Sequence, residues 1–151
     1  MQIVFPLALA IGALAAGAVL AGARRWERQT EILLSRLLAT RRPPQPRVVD
    51  FRLLEGLPLP VQRYFRAVLR DGQPMVVAAR VAHEGTFNLS TSGERWKPFR
   101  SRQWIVTNPP GFLWDGRIDV AAGLPLRVHD AYVAGEGILH PSALGPRPSV
   151  S

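Results

Sequence analysis

From Met1 to Ala23 the chain carries no charged side chain, and Gln2 is the only strongly polar one. As a helix rising about 1.5 Å per residue, such a stretch is about 35 Å long, enough to cross a hydrocarbon layer of about 30 Å with some tilt. The sequence therefore predicts a transmembrane helix over residues 1–23. A cleaved signal peptide would need a basic start, a shorter apolar run and a small-residue cleavage site. Ala21-Gly22-Ala23 offers the last of these, but the run ends directly on Arg24-Arg25-Trp26, which favours an uncleaved anchor. Arg24, Arg25, Trp26 and Arg28 are the expected membrane-interface residues, an aromatic belt beside a polar stop. They all lie C-terminal to the apolar run, so the positive-inside rule predicts a single-pass protein of the inner membrane with its domain in the cytoplasm. Membrane lipid is the first expected partner. Ala8/Gly12, Ala13/Gly17 and Ala18/Gly22 repeat a spacing that packs helix on helix, although in so alanine-rich a segment composition explains it as well.

Residues 24–40 continue in helical periodicity, with Trp26, Ile32, Leu33, Leu37 and Leu38 near one face, as a juxtamembrane helix. Arg41-Arg42-Pro43-Pro44-Gln45-Pro46 stops it, because proline lacks a donor and holds its predecessor extended. Residues 41–56 then form a Pro/Arg-rich linker. An amphipathic helix starts near Pro58 to Pro60, with Val61, Tyr64, Phe65, Val68 and Leu69 on a stripe that expects to be buried. After Pro74 the period shifts to two, predicting strands over Val77–Leu89, Phe99–Thr107, Phe112–Val120 and Leu126–His140, the last with Gly135 and Gly137 as bulges. Short spacings favour an antiparallel meander. The expected fold is thus an N-terminal transmembrane helix plus an α+β domain over residues 57–145, one amphipathic helix followed by an incomplete curved antiparallel sheet, with a disordered tail over 146–151.

The formal charge of +8 invites a nucleic-acid reading. Its placement argues otherwise: residues 1–52 hold eight arginines against Glu27, Glu31 and Asp50, so most of the excess flanks the expected membrane segment. No nucleic-acid partner is expected. The chain has no cysteine, which removes disulfides and thiolate metal sites from consideration.

Four motifs, Leu57-Pro58-Leu59-Pro60-Val61-Gln62-Arg63-Tyr64-Phe65, Arg95-Trp96-Lys97-Pro98-Phe99, Thr107-Asn108-Pro109-Pro110-Gly111-Phe112-Leu113-Trp114-Asp115 and Asp130-Ala131-Tyr132-Val133-Ala134-Gly135-Glu136-Gly137, resemble an uncharacterised bacterial membrane-associated family, a domain of unknown function. The resemblance covers residues 57–145 and supplies no activity or catalytic residues. Members of that family look longer, which implies that this chain is C-terminally truncated and its last strand an unpaired edge.

Candidate sites are sparse. His129-Asp130, His83-Glu84 and His140 lack any ligand spacing for a metal, and neighbours in a strand face opposite ways. No metal and no cofactor are expected. Asp115, Arg117 and Asp119 share one face and read as a solvated row of ion pairs. Phe112, Trp114, Ile118 and Val120 share the other, and with Phe87 and Leu89 read as core or as the wall of an apolar cavity. Ser142 lacks a nucleophile elbow, and there is no phosphate-cradling glycine loop. The favoured reading is a noncatalytic module in which Phe112, Trp114, Arg117 and Tyr132 meet an apolar ligand or a membrane protein partner. The alternatives are an enzyme with a polar site built from Asp115, Arg117, Asp130 and Glu136 and completed by missing residues, or a nonfunctional fragment.

Overall fold

The computed structural model describes residues 4–121 and 124–143, with side chains from residue 12 onward except at 15 and 124. The expected tail, 146–151, and Met1 to Ile3 of the expected membrane segment lie outside these. A single helix, α1 (Val4–Ala39), spans the boundary drawn between residues 23 and 24 without a break. Among the described residues no helix is long and apolar enough to cross a membrane. The side chains of residues 4–11, which belong to the apolar run, are outside that set.

A short 3-10 helix (Phe51–Leu54) and α2 (Leu59–Val68) follow, and then five strands: β1 (Ala78–Asn88), β2 (Trp96–Thr107), β3 (Pro110–Ala121), β4 (Leu124–Val133) and β5 (Glu136–Ser142). They pair in chain order as an open antiparallel meander. The segment predicted as one strand, Leu126–His140, is instead a hairpin. Ala134 and Gly135 both take positive φ, 54° and 87°, which is the signature of a two-residue turn whose twist matches the flanking strands. Gly135 therefore reverses the chain where a bulge would only have bent it.

The second half of α1 lies across β2, β3 and β4. Trp26, Thr30, Leu33 and Leu37 are buried, at spacings of four, three and four that keep them on one stripe. Ile32 and Leu38, expected on that stripe, are exposed. At about 100° per residue they fall roughly 110–130° from its centre. The core under the helix joins Leu33 and Leu37 to Val106, Leu113, Ala131 and Val133, with Leu34, Trp104 and Ile138 packed around it. Gly111 sets the closeness of the approach: a Cβ there would stand 2.9 Å from both Leu37 Cδ1 and the Tyr132 carbonyl oxygen.

The covered face is therefore the one carrying Leu113 and Asp115, which corrects the expectation that Phe112, Trp114, Ile118 and Val120 make the core. Of those only Ile118 is buried. The stripe of α2 also departs from expectation. Its contacts are with the 3-10 helix, none of its residues is buried, and Val61, Tyr64 and Val68 are exposed. The linker is tied to the sheet at Asn108: the Arg42 N–H donates to the Asn108 carbonyl at 2.8 Å, and the Asn108 side-chain Nδ2 donates to the Pro43 carbonyl at 2.8 Å.

Candidate functional site

Strand parity decides which side chains meet α1. In the β3–β4 register Leu113 pairs with Ala131, Asp115 with His129 and Arg117 with Arg127, while on β2 Trp104, Arg102 and Arg100 pair with those same β3 residues. Hence the apolar core under Leu33 and Leu37 gives way, two residues along each strand, to a polar layer under Trp26 and Thr30.

Hydrogen bonds and a ring stack join that layer. Trp26 Nε1–H donates to Asp115 Oδ1 at 2.8 Å, and Arg102 Nη2 donates to Asp115 Oδ2 at 2.7 Å. The carboxylate thus has a partner on each oxygen, and its proximity pushes the Arg102 guanidinium above its ordinary range. The indole ring of Trp26 stacks on His129 at 3.8 Å between centroids and 15° between planes. Thr30 Oγ1 lies 3.1 Å from the Trp26 carbonyl and 2.8 Å from His129 Nε2. One hydroxyl proton cannot serve both; donated to the carbonyl, it requires His129 Nε2–H to donate to the oxygen. Nδ1 is then an unprotonated acceptor, and it is buried with no hydrogen-bond partner. Burial pushes the His129 pKa down to about 4, against the opposing pull of Asp115, whose Oδ1 lies 3.8 Å away. Asp115, expected in a solvated row, accordingly belongs to a buried hydrogen-bonded cluster in which His129 Nδ1 alone lacks a partner, whereas Arg117 and Asp119 remain a surface pair at 3.7 Å.

Beside this cluster opens a cleft of about 470 Å³, lined by Glu27, Glu84, Arg100, Arg102, Arg117 and Arg127 among others. Glu27 of α1 lies 3.6 Å from Arg102 and 3.9 Å from Arg127. The open face of the sheet is aromatic. Phe112 is the direct cross-strand partner of Tyr132, Trp114 follows on the same side, and Phe99 links Trp114 at 6.5 Å to Phe87 at 6.1 Å.

Three of the four expected ligand residues, Phe112, Trp114 and Tyr132, thus come together, and Arg117 lies on the opposite face in the arginine cleft. Trp26, expected at a membrane boundary, is buried on the sheet, while Arg24, Arg25 and Arg28 are exposed along α1. Of the four residues of the enzyme alternative only Asp115 and Arg117 share the cleft. Asp115 is saturated under α1, Asp130 is exposed on the other face beside Trp114, and Glu136 binds Arg36 at 2.8 Å. Among the described residues no group of three potential ligands could hold a metal ion. The Trp26–Thr30–Asp115–His129 cluster was not legible in the sequence because its two halves, on α1 and on the β3–β4 pair, stand far apart in the chain; its one local signal was Thr30, four residues after Trp26 on the stripe that continues to Leu33 and Leu37.

No curated protein and no solved structure matches the chain. Residues 47–148, which include α2 and the whole sheet, match a family of unknown function, DUF6544. With well over half of its length matched, the chain belongs to the DUF6544 family.

Proposed function

We propose that this protein is a noncatalytic, membrane-tethered binding module that offers the aromatic face of its sheet to an apolar ligand or to the apolar surface of a membrane protein partner. The observation that carries the reading is the pairing of an uncharged N-terminal stretch, residues 1–23, with a sheet whose second face no described helix covers. On that face Phe87, Tyr132, Val81 and Leu139 are exposed and Phe99, Phe112 and Trp114 half-buried. Apolar area of this kind on a soluble surface favours association, at about 25 cal/mol for each Å² removed from water. Tethering by residues 1–23 as a single-pass helix of the inner membrane, with the sheet in the cytoplasm, brings that face to a lipid-rich environment. A curved sheet with further strands would deepen the site, and among the described residues the four that the enzyme alternative needs, Asp115, Arg117, Asp130 and Glu136, do not meet in one place.

The test uses the full chain in neutral detergent and a fluorescent fatty acid as probe. Saturable binding that falls at least tenfold in Trp114→Ala and Tyr132→Ala, with no loss in the α2 variant Arg63→Gln, is expected. Equal binding by all variants would overturn the ligand reading, and recovery of the protein in the supernatant after alkaline carbonate washing would overturn the tether.

A further inference from the structure

The helix-side face of the sheet holds a row in which three adjacent arginines outnumber the row's one acid, Glu84. Glu84, Arg100, Arg117, Arg127 and Ser142 are successive cross-strand partners from β1 to β5, so that three arginines stand side by side. Directly opposed residues have Cβ atoms about 4.5–5.5 Å apart, and like charges so placed destabilise a sheet. Compensation is thin. Arg100 makes no ion pair among the described residues, Arg117 reaches Asp119 at 3.7 Å, and Arg127 reaches Glu27 only at 3.9 Å although its side chain is 17% exposed. Removing a guanidinium from water with so distant a partner costs free energy that nothing described returns. Arg102, in the adjacent row, is already committed to Asp115.

We propose that this row is a binding site for a phosphate group held in the cleft. A planar guanidinium presents a fork of donors that fits two oxygens of a phosphate, and a dianion with three acceptor oxygens meets three adjacent cations. A carboxylate, with one charge and two oxygens, would leave part of the row uncompensated. The position of the cleft bears on the source of the phosphate. One turn N-terminal of Glu27 is Ala23, the last residue of the uncharged stretch, so a spanning residue 1–23 segment brings Arg100, Arg117 and Arg127 to the level of lipid headgroups. The same chemistry would accept a soluble phosphoester. The site is on the face opposite to Trp114 and Tyr132, and so stands or falls independently of the apolar-ligand reading.

The experiment measures the thermal midpoint and binding isotherm of the full chain in a neutral detergent, with inorganic pyrophosphate in one arm and mixed micelles containing phosphatidic acid in the other. Stabilisation by pyrophosphate assigns a soluble ligand; stabilisation by phosphatidic acid alone assigns a headgroup; either supports the site. Arg100→Gln and Arg117→Gln should each weaken that binding at least tenfold, while raising the midpoint of the unliganded protein through relief of like-charge repulsion. Arg63→Gln, which removes the same charge from α2, should change neither. Arg100 and Arg117 are both exposed, so either variant keeps the test open should the other fold poorly. Absence of stabilisation in both arms at matched ionic strength, or an equal loss in Arg63→Gln, would overturn the proposal.

Discussion

His129, on β4, is fully buried beneath α1, with an indole on its ring face and a hydroxyl at Nε2. The pocket fits the neutral imidazole: burial disfavours the cation more strongly than Asp115 favours it, while His140 and Arg127 oppose it as well. The folded pKa of about 4 lies below the ordinary value of 6.5, so as pH falls the unfolded chain takes up the proton first. Its contribution to stability is complete above pH 6.5 and lost progressively as pH falls from 6.5 towards 4. We expect the denaturant midpoint of the full chain to decline over that window. His129→Gln should flatten the decline relative to the parent, whatever it does to the midpoint at pH 8. An identical slope in the variant would mean that other groups carry the pH dependence.

At the scale of elements, the decisive contact is between one helix and one of two competing sheet faces. Leu37→Ala should cost about 2–5 kcal/mol, the range for emptying a buried leucine site that cannot collapse. Ile32→Ala, on the same helix but 54% exposed, should stay within about 0.5 kcal/mol. Chemical denaturation in detergent checks both, and equal effects would refute the Trp26-Thr30-Leu33-Leu37 stripe. The strands themselves were legible, because alternation in Val77–Leu89, Phe99–Thr107 and Phe112–Val120 follows directly from the pleat. The turn at Ala134-Gly135 was not, since alanine gives no local sign of a positive φ. Nor was the choice of core face legible. Phe112 and Trp114 are more apolar than Leu113 and Asp115, so local composition pointed to the wrong side; the helix that decides the matter lies more than 70 residues upstream. The α2 stripe misled similarly, because periodicity states what a helix can bury but not whether a neighbour comes.

For the whole molecule, the consequence is that α1 belongs to the fold as well as to the proposed tether. The region matched to the family, residues 47–148, contains the sheet but not the helix stripe that covers it. Removal of residues 1–40 would strip the cover from Val106, Leu113 and Val133, all now at most 1% exposed, and would open the saturated Asp115–Trp26 pair to water. We therefore expect a chain that starts at Asp50 to be aggregated or molten, with bound hydrophobic dye and no cooperative transition. The unpaired last strand expected from the sequence would lead to the same behaviour, since an open strand edge invites aggregation, and the two causes can be separated. The edge strand β5 carries Pro141, which blunts edge-to-edge pairing, so the uncovered face is the larger liability. A chain that starts at Arg24 keeps Trp26, Thr30, Leu33 and Leu37 while losing the uncharged stretch. It should unfold cooperatively and leave the membrane fraction on carbonate washing. Appending extra strands to the chain from Asp50 should not substitute for residues 24–40. A monomeric, cooperatively unfolding chain from Asp50 would show that the sheet does not need α1, and with it the helix would be a tether alone.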